Sequence, residues 1–322
     1  SLARYAPSLY SVGNDIDHLQ ITNVGLLRSG LLKRLESSTA ALIATLSRLV
    51  TSHEAFVTGI NGGFVMTGDA LRDFVSSESD DLDAFLDGLD DESADQVRPI
   101  AGFDWKALRK DVELDLVLLK DLLKFALKRQ AQGPDAKVEE MLEHLTEIAT
   151  EAARPDKHGL SSGDRRKVIV FTTYTDTVED LHKRVVQAVN KAPKNSPLHA
   201  YKGRIAPAVF GARRGSSQDD RAATLAGFAP MTAGEVREDG TPLSKDIYDV
   251  LITTDVLAEG VNLQQAGRMV NFDLPWNPMR LVQRHGRIDR IGSPHKKVVI
   301  GCFFPAANLD KLLKLEETLQ RK

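Results

Sequence analysis

Apolar residues recur along this chain with two different periods. Between residues 19 and 50 they return at helical spacing, with Arg28, Lys33, Arg34 and Glu36 between them, the pattern of a helix with one apolar face. Residues 111–130 and 136–150 read as two more amphipathic helices, separated by the breaker Gly133-Pro134. Past residue 165 the pattern changes. Val168-Ile169-Val170 and Val250-Leu251-Ile252 are short unbroken apolar runs, and each ends in a crowd of polar residues. Such runs read as buried strands. A helix is predicted over residues 178–189 after the first. The first half is therefore expected to be mainly helical, and the second to be an α/β lobe with a parallel sheet and helices on both faces.

Interruptions in these patterns mark the loops. A glycine cluster at residues 59–63 breaks the helical spacing, and residues 78–95 are acidic with no Lys or Arg. Residues 59–100 are thus expected to be a flexible acidic insertion, a solvated loop or else an autoinhibitory or partner-binding segment. Residues 193–207 are rich in proline and lysine, residues 229–245 in glycine and charge, and both read as loops. The expected organisation is a helical region over 1–134, a lobe over 135–305 and a closing helix over 306–322.

Polar residues after the apolar runs carry the candidate chemistry. Open parallel sheets place ligands beyond the carboxyl ends of their strands. Thr172 and Thr173 follow the first run, and Thr253, Thr254 and Asp255 follow the second. Hydroxyls and free amides at a helix start suit phosphate oxygens, although a threonine after a strand also serves as a cap. Gly260 would let the backbone approach a ligand, while Asn262 and Asp255 offer short polar arms to a ribose or to neighbouring arginines. Those arginines lie in Gln283-Arg284-His285-Gly286-Arg287-Ile288-Asp289-Arg290. At three-residue spacing they would share one face of a helix, and such a stripe is tolerable under solvent or against a polyphosphate.

Taken in order, these blocks resemble the second motor lobe of superfamily 2 helicases and translocases. The arginine segment resembles the family's motif VI, residues 253–264 motif V, and residues 168–173 motif IV. Gly215-Ser216-Ser217-Gln218-Asp219-Asp220-Arg221 with Phe228 is similar to the pattern that follows motif IV. Glu259-Gly260-Val261-Asn262-Leu263-Gln264 and Arg290-Ile291-Gly292 look most like the SWI/SNF-type branch. Asp273-Leu274-Pro275-Trp276-Asn277-Pro278 looks like its bacterial members, which include an RNA-polymerase-associated remodeller. Leu31-Leu32-Lys33-Arg34-Leu35-Glu36-Ser37-Ser38 is also similar to a run that precedes this lobe in bacterial helicases.

The resemblance implies a RecA-like lobe in which Arg287 and Arg290 reach the phosphates of ATP across a cleft, Arg290 being the arginine finger. It implies a nucleotide side made of Gln283, Asp255, Glu259, Gly260 and Asn262. Thr172, Thr173, Arg221, Thr253 and Thr254 would contact the nucleic-acid backbone, with duplex DNA the expected partner. Asp289 would orient a neighbouring arginine, and His285 would be a spacer. Neither a Gly-x-x-x-x-Gly-Lys-Ser/Thr cradle nor an acidic run after an apolar strand occurs in the chain. In this family those parts, with ATP and magnesium, belong to a first lobe. The chain thus reads as part of a longer protein, expected by itself to hold no cofactor tightly and to hydrolyse no ATP. An RNA-directed lobe and a non-enzymatic scaffold are the alternatives.

Charge adds a polarity. Residues 165–305 hold 21 Lys and Arg against 14 Asp and Glu, a net of +7, whereas residues 1–164 hold 17 against 28, a net of −11. The basic half is the one expected to meet phosphates, and the acidic half to meet a protein partner if anything. A lone Cys302 excludes an internal disulfide and fits a reducing cytoplasm, here a bacterial one with a nucleoid-associated protein. The eight histidines lack metal spacing, so no metal site is expected. No apolar run approaches the length of a membrane span.

Overall fold

A computed structural model describes residues 2–13, 18–76, 96–133, 135–156, 159–208, 218–255 and 260–313. The acidic run at 78–95, Gly215 to Ser217, Glu259 and residues 314–322 lie outside the described residues. Two compact units result, one of residues 1–34 and 42–132, the other of residues 35–41 and 133–322.

The first unit is mainly helical. It contains most of α1 (His18–Ser37) and α2 (Thr39–Asn61), then β1 (Phe64–Met66), α3 (Gly68–Ser76), β2 (Val97–Pro99) and α4 (Trp105–Ala131). The apolar spacing of residues 19–50 does not make one continuous helix, because Ser38 interrupts it. The Ser38 hydroxyl accepts from the Ala41 amide at 3.0 Å and caps α2. Phe56, Met66 and Leu108 close the core of this unit. The expected flexible insertion is corrected at its flanks: β1 and β2 pair antiparallel from Phe64 opposite Pro99 to Met66 opposite Val97, and α3 is regular.

The second unit is an α/β lobe. Its elements are α5 (Ala136–Ala152), α6 (Ser162–Arg166), β3 (Val168–Phe171), α7 (Thr175–Lys191), α8 (Gln218–Phe228), β4 (Val250–Thr253), β5 (Arg268–Asn271), α9 (Pro278–His285), β6 (Val299–Cys302) and α10 (Ala307–Leu313). The four strands are parallel in the order β4-β3-β5-β6, and Phe171 lies opposite both Thr253 and Asn271. Side chains alternate between two cores, as a pleated strand requires. Val168, Val170, Val250, Ile252 and Val270 pack with α5 and α7 through Leu145, Val178 and Val185. Ile169, Phe171, Leu251 and Met269 pack on the other face with α8 through Leu225 and Phe228. Burial on both faces is why these strands are unbroken apolar runs.

Ion pairs lock the N-terminal end of the sheet. Asp249, fully buried, receives Arg166 Nε at 2.9 Å and Arg204 through two nitrogens, each at 2.8 Å. Lys167 is equally buried and donates to Asp246 at 2.9 Å and to the Phe228 and Tyr248 carbonyls at 2.6 and 2.8 Å. Among the described residues no helix is long and apolar enough to cross a membrane.

Candidate functional site

The carboxyl ends of β3, β4 and β5 deliver Thr172, Thr253 to Asp255, and Asn271 to Asp273 to one edge of the sheet. Asn277 and Pro278 start α9 just beyond: the Asn277 side chain accepts from the Met279 amide at 3.0 Å, and proline's missing N–H costs nothing in the first turn. This helix carries Gln283 and Arg284 back to the strand ends.

Arg284 is the centre of the arrangement. Its side chain is 1% exposed, and Nε and Nη2 donate to the two Asp255 oxygens at 2.5 and 3.1 Å. Nη1 donates to the Asn271 side chain at 3.0 Å and to the Asp273 carbonyl at 3.2 Å, and the guanidinium lies 5.3 Å from the centre of the Phe171 ring. A buried guanidinium is tolerable only with this degree of satisfaction. It ties β3, β4, β5 and α9 together.

Asp273 is the second buried charge. Its carboxylate accepts from the Thr172 hydroxyl at 2.5 Å, from the Thr173 amide and hydroxyl at 2.8 and 2.7 Å, and from Ser37 at 2.6 Å. Burial opposes its charge, but these donors and the Lys137 charge outweigh burial and hold the carboxyl below the usual range. Ser37 comes from residues 35–41, which belong to the lobe's compact unit. Its neighbours fasten the same turn: buried Glu36 accepts from Lys137 at 2.9 Å, and the Thr39 hydroxyl donates to Asp135 at 2.6 Å.

The three arginines do not form a helical stripe. Helix α9 ends at His285, and Gly286 to Arg290 continue as turns, so Arg284 points inward while Arg287 is half-exposed and Arg290 exposed. The turn is pinned to residues 262–264: the Leu263 amide donates to the Arg287 carbonyl at 3.0 Å, the Ser293 hydroxyl to the Gln264 carbonyl at 3.2 Å, and Ile288 is fully buried. The Arg290 guanidinium donates to the Asn262 side chain. Gly260 adopts φ +79°, a left-handed conformation that favours glycine, with open space where a Cβ would stand.

Of the two roles left open for Asp255 and Asn262, ribose or arginine, each has taken an arginine in this structure. Gln283 is exposed, Thr254 and Arg221 are half-exposed, and Glu259 is outside the described residues. Thr172 and Thr253 are fully buried, with the Thr253 hydroxyl donating to the Thr254 carbonyl at 3.2 Å. These two occupy the structural role rather than an exposed one, which corrects the expectation that their own hydroxyls meet a nucleic acid. Asp289 is exposed and, among the described residues, pairs with neither Arg287 nor Arg290, so its expected orienting role is also corrected. His285 is more than a spacer: its Nε2 is buried without a hydrogen-bond partner, and burial, then the charge of Arg284, push its imidazole below the ordinary value.

The sequence reading passed over Asn271, and it quoted Arg284, Asp273 and Ser37 within their runs without giving any of them a role of its own. One signal was available. A carboxylate directly after a buried strand, as Asp255 is, needs a cation close by, and the arginine segment offered three.

A parallel sheet with helices on both faces and its polar cluster beyond the strand ends is a RecA-like α/β lobe. Residues 148–292 match the helicase conserved C-terminal domain family. This part of the chain is the C-terminal helicase lobe of a superfamily 2 helicase. A stretch of 52 residues, 15% of the chain, is 56% identical to the uncharacterized ATP-dependent helicase YqhH of Bacillus subtilis and covers 9% of that protein. Another of 51 residues, 16% of the chain, is 51% identical to the RNA polymerase-associated protein RapA of Erwinia tasmaniensis and covers 5% of it. The aligned parts thus span less than a tenth of either relative. The C-terminal part of the Fun30 ATPase domain aligns at TM-score 0.38 and 17% identity over 66% of this chain and 58% of that one, and the fold assignment rests on sheet order instead.

Proposed function

We propose that this lobe is half of an ATP-driven motor on duplex DNA, and that in the longer protein it closes onto ATP and magnesium held by a first RecA-like lobe. Arg287 and Arg290 then meet the phosphates, with Arg290 as the arginine finger. The observation that carries this reading is the division among the three arginines. Arg284 is consumed inside the lobe by Asp255, whereas Arg290 is exposed on a neutral partner, Asn262, and Arg287 makes no ion pair among the described residues. Two cations without carboxylates at the ligand edge of a parallel sheet suit a polyanion.

ATP bound with magnesium supplies the phosphoryl group that transfers to water. The residues of this chain orient and neutralise. Charge that grows on the transferring group is met by Arg290, released from Asn262, and such a finger contributes roughly 10^3 to 10^5 in rate. Gly260 and Gln283 stand on the nucleotide side. Thr173, Thr254 and Arg221 hold the nucleic-acid backbone, and Thr172 and Thr253 set the loops that present them. The net charge of +7 over residues 165–305 supports a polyanionic track. Each closure and opening of the cleft advances the lobe along the duplex.

The test is steady-state ATPase of the full-length protein with duplex DNA or duplex RNA. Arg290→Ala is expected to lower DNA-stimulated turnover by roughly 10^3 while leaving DNA affinity nearly unchanged. Equal losses in turnover and affinity would make Arg290 structural. Stimulation by RNA equal to that by DNA would replace the DNA reading with an RNA-directed one.

A further inference from the structure

The loop after β3 has no proton to spare. Thr172 and Thr173 each carry one amide and one hydroxyl proton, and all four are engaged. The Thr172 amide donates to the Thr253 carbonyl at 3.0 Å and its hydroxyl to Asp273. The Thr173 amide and hydroxyl both donate to one oxygen of Asp273, Oδ1. A backbone phosphate is an acceptor only, so Thr173 can hold one only by turning a donor away from that carboxylate. Thr172 is fully buried, whereas Thr173 is half-exposed. Its amide is fixed by the main chain, but its hydroxyl rotates to suit its partner.

How well Asp273 is served after that rotation decides what the rotation costs. Its other oxygen, Oδ2, accepts from Thr172 at 2.5 Å and from Ser37 at 2.6 Å. Ser37 does not act alone. Its single proton lies on Asp273, so in the 2.7 Å bond between Ser37 and Thr177 the donor is Thr177. Thr177 has then given its proton, so Ser38 donates in the 2.8 Å bond between those two, and the Ser38 oxygen accepts from the Ala41 amide at 3.0 Å. An amide in the first turn of α2, three hydroxyls and a carboxylate thus form a one-way chain in which each donor polarises the next. Ser37, Ser38 and Thr177 are all buried.

We propose that Ser37, at the head of this chain, is a positioning residue for nucleic acid: with Thr172 it keeps Asp273 satisfied through Oδ2, which frees the Thr173 hydroxyl to turn from Oδ1 to a backbone phosphate. Three donors stay on the carboxylate after the turn, and one hydrogen bond is exchanged for another. Without Ser37 only two would stay on a buried charge, and the Thr173 hydroxyl is then held where it is. The inference rests on the reading of Thr173 as a backbone contact, and it gives the turn at residues 35–41 a part in that contact.

The experiment is a double-mutant cycle on the affinity of the full-length protein for a fluorescein-labelled DNA duplex, read by anisotropy without nucleotide, with urea midpoints as the check on folding. Thr173→Val is expected to weaken binding roughly fivefold, the scale of one hydrogen bond. Ser37→Ala should weaken it to a similar degree in the parent and not at all in the Thr173→Val background, because its effect passes through that hydroxyl. Thr172→Val should act as Ser37→Ala does, while Thr172→Ser, which keeps the donor, should bind as the parent. Equal losses from Ser37→Ala in both backgrounds, unchanged affinity in Ser37→Ala, or a Thr172→Ser protein as weak as Thr172→Val would each overturn the proposal and leave Thr173 as a contact. Unchanged affinity in Thr173→Val would remove that contact and the proposal with it. None of these outcomes bears on the arginine finger, which Arg290→Ala tests separately.

Discussion

The two ends of the lobe's sheet answer the same physical demand in opposite ways. At the N-terminal end the cations Lys167, Arg166 and Arg204 are matched by Asp246 and Asp249, and the network closes on itself. At the C-terminal end Arg284 and Asp273 are matched just as fully, but Arg287 and Arg290 stand outside with no carboxylate partner among the described residues. A charge in a low-dielectric interior must be compensated within the fold. Where it is not, and the group sits at the ligand edge, compensation is available for something that arrives. On the proposed reading, the contrast separates a lock from a docking edge built of the same residue types.

The largest effect should come from within one segment. Arg290→Ala is expected to lower ATPase of the full-length protein by roughly 10^3 with urea unfolding of the lobe unchanged. Arg284→Ala should do the reverse first: it opens a cavity, unpairs the Asn271 side-chain oxygen and the Asp273 carbonyl and leaves Asp255 with Arg280 alone at 3.5 Å, and should cost about 3–5 kcal/mol in urea unfolding, with activity falling because the edge loosens. If both variants lost only activity, the division between strut and finger would fail.

The opposite end should be softer. Asp249→Ala is expected to cost about 2–3 kcal/mol, because Arg166 and Arg204 keep 16% and 29% of their side-chain surface in water and can re-solvate. A larger loss than for Arg284→Ala would reverse the ranking of the two ends.

Acid should sharpen the comparison further. Asp273 titrates below its ordinary value in the folded lobe. Its contribution to stability is therefore complete above the unfolded carboxylate value of about 4 and is lost as pH falls through the lower folded value. Asp273→Asn should be less stable than the parent at neutral pH and show a flatter decline below about pH 4. Urea midpoints from pH 7 to pH 3 measure this. Parallel curves for the two proteins would show that Asp273 is not the group being protonated.

How much was legible in advance differs from element to element. The runs at residues 168–171 and 250–253 were readable as strands because burial on both faces demands unbroken apolar residues. Strands β1 and β2 were not, since each has only three residues, too short for a pattern to show, and they are held by their mutual pairing and by Val65 and Met66 in the unit's core. The placement of Thr254 and Asp255 at the end of a buried strand was legible from the polar residues that follow the run at 250–253. Which arginine would be buried was not. Equal spacing suggested one helical face, yet α9 stops at His285 and the turn after it directs Arg287 and Arg290 away from Arg284.

Sequence alone determined what depends on local pattern: a helical first half, a parallel α/β second half, a basic edge after buried strands, and a family resemblance carried by short ordered motifs. Only tertiary structure decided which polar residues would spend their hydrogen bonds internally. Thr172 and Thr253 vanish into the lobe, Ser37 reaches across 236 positions of chain to Asp273, and Arg4 Nε is buried with no hydrogen-bond partner among the described residues. The reason is that burial and pairing are properties of neighbours brought together from distant parts of the chain, and no residue's own type or spacing states which neighbours those are.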